Sequence, residues 1–326
     1  MSASAEVARV SGREQALDLT RRYGIVVVFV VLIATLLLTL PQFRTTANLS
    51  NVLQQNSVIG IIAAAMTFAI ISGGFDLSVG SGAALASVVG ARLMIDASIP
   101  FGIAGALAAG LLLGLVNGLL IAYAGINPFV ATLGTATIVR GLIYVATNAT
   151  PFFGVPMSFT AVGLGRTGPL PNATWIFLAV VLVLGFTLHQ TRFGHYVYAI
   201  GGNIVAAAEM GIDVRRVKLA VYALVGASAA IAGIILTGQT ASGQPQAALN
   251  YELTAITAVI VGGASLGGGR GGMAGTILGV FLLGLVSNAL NLYGVSAFWQ
   301  PVATGIILVA AVGVDSYSRR SVFAWK

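Results

Sequence analysis

The chain has 326 residues, 57% of them hydrophobic and only 8% charged, with a mean hydropathy of +0.97. A soluble domain carries about 25% charged residues, so this composition excludes an ordinary soluble enzyme and describes a polytopic membrane protein. The net charge of +7 does not mark a nucleic-acid binder, because the cations lie at the ends of apolar runs and form no basic patch. Cysteine is absent, which removes disulfides, thiolate metal sites and thiol catalysis.

At the N-terminus, Arg13, Arg21 and Arg22 precede the apolar run Gly24–Leu40. The run is long for a secretory signal core, and Leu40-Pro41-Gln42-Phe43 offers no small-residue cleavage site. It is read as a first membrane helix rather than a secretory or twin-arginine signal. Measured against the roughly 20 apolar residues that a span needs, ten segments follow: 24–40, 57–72, 78–95, 100–124, 128–147, 174–190, 218–238, 252–266, 273–290 and 298–314. The second, third and eighth are short or glycine-interrupted and are expected to be broken or re-entrant. Asn127-Pro128 and Thr150-Pro151 mark turns. The longest polar connections are 41–56, 148–173 and 191–217. The expected fold is all-α and polytopic, with about ten transmembrane helices and a possible internal repeat. A cytoplasmic tail covers 1–23, the membrane domain 24–314, and a second cytoplasmic tail 315–326.

Orientation follows from the arginines and lysines. With the N-terminus inside, twelve fall in the cytoplasm: Arg9, Arg13, Arg21, Arg22, Arg192, Arg215, Arg216, Lys218, Arg270, Arg319, Arg320 and Lys326. Only Arg44, Arg92 and Arg166 fall outside, and Arg140 lies within a span. The bias places both termini in the cytoplasm.

The segment Ile70–Gly82 sets one carboxylate, Asp76, and four glycines inside an apolar run. A charge at membrane depth normally faces protein or a water-filled path, and glycine lets a helix break where it lines a cavity. Asp76 has two compatible roles: capping the helix that begins at Leu77, or lining a solute path together with the hydroxyls of Ser78 and Ser81. Residues 70–82 align without gaps to 259–271, matching Gly73 and Gly74 to Gly262 and Gly263 and putting Ser265 in the place of Asp76. Such an echo points either to duplication or to chance matching in glycine-rich sequence. Arg140 is placed to snorkel outward or to pair with Asp76. Asn117, Asn127, Gln239 and Asn288 suit interhelical hydrogen bonds. Gly110, Gly114 and Gly118, like Gly275 and Gly279, are spaced for close helix packing.

Gly267–Gly272 formally fits GxGxxG but lies between membrane spans, where no βαβ unit exists to use it. No phosphate loop of the form GxxxxGK[ST], paired carboxylate or Ser/His/Asp grouping is present, which leaves a membrane enzyme without machinery. The alanines and Glu209 of 204–212 form a short exposed helix ended by Gly211, suited to docking in a partner's groove.

Five ordered motifs resemble the ribose-type permease subunits of bacterial ABC sugar importers. They are GGFDLSVGS at 73–81, NPFVATLGTATIVRGL at 127–142, TRFGHYVYAIGGN at 191–203, AAAEMGI at 206–212 and YELTAITAVIVGGASLGGG at 251–269. The resemblance implies a multi-pass protein of the bacterial inner membrane, assembled as a permease homodimer or heterodimer. It also implies a cytoplasmic ATPase that binds ATP and Mg, and a periplasmic or lipid-anchored sugar-binding protein. Within the loop 191–217 it places an ATPase-coupling helix, with Gly202, Ala206, Glu209 and Gly211 on its recurring positions. Asp76, Ser78, Gly73, Gly74, Gly262 and Gly263 become candidates for the substrate pathway. Where the family often carries an acidic residue soon after Gly-Gly-Asn, this chain has Ile204 and Val205. The expected function is ATP-driven import of a monosaccharide without a cofactor in this chain. The alternative is a secondary transporter with Asp76 as its proton or sodium site.

Overall fold

The structure, a computed structural model, describes the backbone of residues 12–323 and the surroundings of side chains 25–313. Arg9 and Lys326, which entered the orientation count, lie outside the described residues. Thirteen helices follow one another among the described residues: α1 (Gly12–Thr39), α2 (Thr46–Ile71), α3 (Val79–Asp96), α4 (Ile99–Ala122), α5 (Pro128–Thr147), α6 (Thr160–Gly163), α7 (Asn172–Gln190), α8 (Arg192–Gly202), α9 (Ile204–Glu209), α10 (Val214–Thr240), α11 (Tyr251–Val261), α12 (Met273–Leu292) and α13 (Trp299–Phe323). Seven are long and apolar enough to cross a membrane: α2, α3, α4, α5, α7, α10 and α12. Shorter apolar stretches at Ile25–Thr39, Tyr251–Val261 and Trp299–Gly313 complete the ten expected positions.

Two expectations need correction. Residues 41–56 are not a polar connection: after a 3-10 turn at Pro41–Arg44, α2 already begins at Thr46. Three of its polar side chains bond sideways to neighbouring elements. Asn48 and Asn288 exchange amide hydrogen bonds of 3.1 and 2.7 Å, Gln54 donates to the Gly163 carbonyl at 2.8 Å, and Ser57 donates to Thr174 at 3.2 Å. The second correction concerns which spans are short. Of the three expected to be short or broken, α2 and α3 are full length, and α11 alone is abbreviated.

The core forms around α2, which is buried without interruption from Gly60 to Ile71. A helix that is apolar on all faces belongs inside a bundle. The glycine ridge of α4 lies against α10: side chains at Gly110, Gly114 and Gly118 would collide with Ala230, the Tyr222 carbonyl and Leu219 respectively. Gly275 and Gly279 of α12 meet the backbone of α11 at Gly262 and Ala258 in the same way. Close backbone approach supplies dispersion contacts where lipid offers helices no hydrophobic reason to associate. Four two-residue strands tie the connections. β1 (Phe152–Phe153) pairs antiparallel with β4 (Ser242–Gly243), and β2 (Arg166–Thr167) with β3 (Leu170–Pro171).

The sequence echo corresponds to a shared helix ending, but in a different register. At the end of α2, the N–H groups of Ser72, Gly73 and Gly74 bond back to Phe68, Ile70 and Ala69. At the end of α11, Gly262, Gly263 and Ala264 bond back to Ala258, Ile260 and Val259. Gly73 (φ +82°) therefore corresponds to Gly263 (φ +93°), one residue away from the gapless alignment. Both sit in the left-handed region that closes a helix and favours glycine. The chain then takes seven residues to reach α3 and eleven to reach α12, so the later identities do not share backbone positions.

Candidate functional site

The first break doubles back into the bundle. After α2 ends, the backbone N–H of Asp76 lies against the sulfur of Met66, ten residues earlier, at 3.4 Å. Asp76 is 1% exposed, and its carboxylate is occupied by neighbours. Oδ1 accepts from the Ser78 N–H at 2.7 Å and the Ser78 hydroxyl at 2.6 Å, while Asn117 Nδ2 donates to Oδ2 at 3.3 Å. Asn117 also donates to Ser78 Oγ at 2.7 Å and accepts from Thr135 at 2.7 Å. Thr132 receives the Leu77 N–H at 3.1 Å, and the Tyr222 hydroxyl donates to the Phe75 carbonyl at 3.4 Å. One carboxylate thus fastens the start of α3 to α4, with α5 and α10 joining through neighbouring residues. Arg140 is elsewhere: its Nη1 donates to the carbonyls of Pro245 at 2.8 Å and Ala247 at 3.1 Å, so it does not pair with Asp76.

The second feature is a junction at the opposite side of the break. The Gly269 N–H donates to the Ile71 carbonyl at 2.9 Å, joining the end of α2 to the turn before α12. Gly201, in the last turn of α8, presses on the same carbonyl so closely that a Cβ would collide with it. Tyr198, one turn earlier, donates to the Gly271 carbonyl at 2.8 Å. Burial pushes its phenol above the ordinary tyrosine value, which keeps it a neutral donor. Both helix breaks therefore rest on α8.

Beyond the junction the chain turns outward. Asn203 caps α9, accepting from the N–H groups of Val205 and Ala206 at 3.0 and 3.1 Å, and Gly211 (φ +82°) follows its end. Gly202, Glu209 and Gly211 are exposed, Ala206 is half-buried, and Ala207 is the internal anchor. Ile204, Val205 and Met210 are exposed apolar side chains on the same short unit.

Two cavities flank the strap of 244–253. One, of about 470 Å³, lies among α2, α12 and α13 and presents Gln55, Asn56, Gln239, Ser287 and Gln300. The other, of about 570 Å³, is a more open groove against α3 and α5, presenting Ser81, Arg140, Tyr144 and Glu252. Leu249, Asn250 and Leu253 line both, so a single strap forms the partition.

Residues 48–312 match the family described as branched-chain amino acid transport system / permease component. The chain belongs to this permease family. It is 41% identical over 298 residues to the ribose import permease protein RbsC of Escherichia coli, covering 89% of this chain and 92% of that protein. It is 43% identical to RbsC of Bacillus subtilis, covering 84% and 86% of the two chains. It is also 38% identical over 326 residues to the L-arabinose ABC transporter permease protein AraH of Azospirillum brasilense, covering all of this chain and 96% of that one. No solved structure matches.

Within the permease, Gly73 and Gly263 supply the two helix endings. Gly74 packs beside Tyr222 and Pro128, and Gly262 packs on Gly275. Sequence reasoning singled out Asp76, Ser78 and Asn117 but not Thr132, Thr135 or Tyr222. Those three reach the break from α5 and α10; Thr132 and Thr135 stand in the motif at 127–142, but nothing in it marks them as neighbours of Asp76. Glu252 lies in the motif at 251–269 but outside the candidate residues, because it stands at the start of an apolar run and not within one.

Proposed function

We propose that the chain is the membrane-spanning subunit of an ATP-driven importer for a monosaccharide, working by alternating access. The observation that carries the mechanical part is the junction at Gly201. The exposed helix α9 is continuous, through α8, with the backbone contacts that hold both helix breaks. A partner that moves α9 therefore moves the end of α2 and the turn before α12 together. The exposed Ile204, Val205 and Met210 give such a partner an apolar grip, and Glu209 adds a charge at its edge. The sugar class follows the names of the ribose and L-arabinose permeases that this chain resembles along nearly its whole length.

In this mechanism a cytoplasmic ATPase binds ATP and its magnesium. A binding protein delivers sugar to the outer face, and two permease subunits, identical or related, enclose the path. Both termini lie in the cytoplasm. Gly73, Gly74, Gly262 and Gly263 shape the path by ending helices, and Asp76 with Ser78 positions the start of α3 beside it. Reconstitution with the ATPase and the binding protein tests the assignment: sugar-loaded binding protein should stimulate ATP turnover and uptake. Proline at Ala207 should abolish uptake by removing the α9 turn, and coupled uptake in that variant would refute the docking role.

A further inference from the structure

The groove between α3, α5 and α11 holds a charge pattern that the network around Asp76 does not use. Arg140 stands about 18 Å along α5 from Pro128 and about 10 Å from Thr147, at twelve and seven residues of 1.5 Å rise, so it lies inside the span. Glu252 lies in the first turn of α11 and touches the start of α3 at Gly80. The two line the same groove and feel each other's charge. They do not close into an ion pair; the ion pairs formed among the described residues are Arg92–Asp96 and Arg216–Asp213. Both are half-buried, and the groove opens on the surface of the chain. Lipid tails solvate neither a guanidinium nor a carboxylate, and both side chains instead face protein and the groove, Arg140 on the strap carbonyls and Glu252 on the wall beside α3.

A volume of about 570 Å³ falls within the range of small-molecule sites. A hydroxyl both donates and accepts, so a fixed cation and a fixed carboxylate across one cavity complement two neighbouring hydroxyls. The half-buried ring of Tyr144 offers the apolar wall that a sugar's C–H face needs. We propose that this groove is a transit station for a neutral polyhydroxyl solute, a monosaccharide, with Arg140 as donor and Glu252 as acceptor. The strap carbonyls bound by Arg140 fix the guanidinium from one side, leaving the remaining N–H groups for the solute. Asp76 is not part of this station, because its oxygens are sealed in the network at the α3 start.

The inference rests on the importer reading, and the experiment separates the two. The permease is assembled in proteoliposomes with its ATPase and binding protein, using labelled D-ribose and L-arabinose as probes. Wild-type liposomes that import neither these sugars nor any other monosaccharide of a pentose and hexose panel on ATP addition overturn the importer reading itself. Glu252→Gln keeps the shape but removes the charged acceptor. Its uptake of the imported sugar is expected to fall about tenfold or more, as loss of a charge-assisted hydrogen bond implies, with stimulated ATP turnover retained. Wild-type uptake in that variant overturns the station alone. A second measurement does not depend on transport. Because the chain lacks cysteine, Thr137→Cys places a single thiol on the groove wall. A charged thiol reagent should label it in the assembled importer, and the imported sugar should slow that labelling. A thiol that stays unlabelled, or is labelled equally with and without sugar, refutes the proposal.

Discussion

Gly201 and Gly202 are adjacent in the last turn of α8, yet the structure assigns them opposite sensitivities. A Cβ on Gly201 would occupy the space of the Ile71 carbonyl and crowd the Gly269 N–H that donates to it, whereas a Cβ on Gly202 meets nothing within 4 Å. The obstructing atoms are backbone, so Gly201→Ala must lift α8 away from α2 or break the 2.9 Å hydrogen bond between Gly269 and Ile71. Overpacking of this kind costs about 1–3 kcal/mol, and the hydrogen bond adds about 0.5–1.5 kcal/mol if it is lost. Even the lower figure shifts the docked population of α8 by about fivefold, and 3 kcal/mol by about 150-fold. Gly202→Ala should be neutral or stabilising, since alanine restricts the unfolded chain and suits a helix better by roughly 0.5–1 kcal/mol. The assay compares thermal unfolding of the purified permease with sugar uptake per ATP hydrolysed in the reconstituted importer. Gly201→Ala should melt earlier and waste ATP; Gly202→Ala should melt no earlier than wild type. Equal behaviour of the two variants would refute the idea that α8 transmits force through this contact.

Three further outcomes follow from the same geometry. Asp76→Asn should fold and support ATP-driven uptake, since one amide oxygen can still accept from Ser78. Asp76→Ala should unfold earlier by about 1–3 kcal/mol for each buried donor left unpaired; ion-gradient uptake by the chain alone that Asp76→Asn abolishes would instead favour a proton or sodium site. Gly114→Val should separate α4 from α10 and cost about 1–3 kcal/mol or more, while Gly141→Ala, which meets nothing within 4 Å, should be harmless; thermal unfolding distinguishes them. Tyr198→Phe removes only the 2.8 Å bond to the Gly271 carbonyl and should lower stability by about 0.5–1.5 kcal/mol, with a smaller loss of coupling than Gly201→Ala.

What the sequence made legible was set by short-range chemistry. Apolar runs located the seven helices long enough to cross a membrane and the three shorter apolar stretches, because the bilayer demands hydropathy within one stretch of chain. The alanines and Gly211 announce α9 because helix formers and a terminating glycine are written within a few residues of the helix itself. The start of α2 is hidden for the opposite reason: Asn48 and Gln54 look like a polar loop until Asn288 and Gly163 arrive from other elements to satisfy them. A polar residue in a membrane protein is classified by its partners, and partners distant in sequence leave no local mark.

The same distinction governs the functional residues. Asp76 was conspicuous as a lone carboxylate in an apolar run, but conspicuousness measures the cost of burial and not the use made of it. Four neighbouring groups meet that cost: the Ser78 N–H and hydroxyl, Asn117, and Thr135 behind it. Arg140 and Glu252 are half-buried, do not close into an ion pair with each other, and stand on a groove with room for a ligand. In a membrane protein the informative charge is therefore the one whose partners are incomplete within the folded chain. By that criterion the search for the solute shifts from the break at Asp76 to the wall that Arg140 and Glu252 share, where loss of one acceptor should alter sugar passage and leave the fold intact.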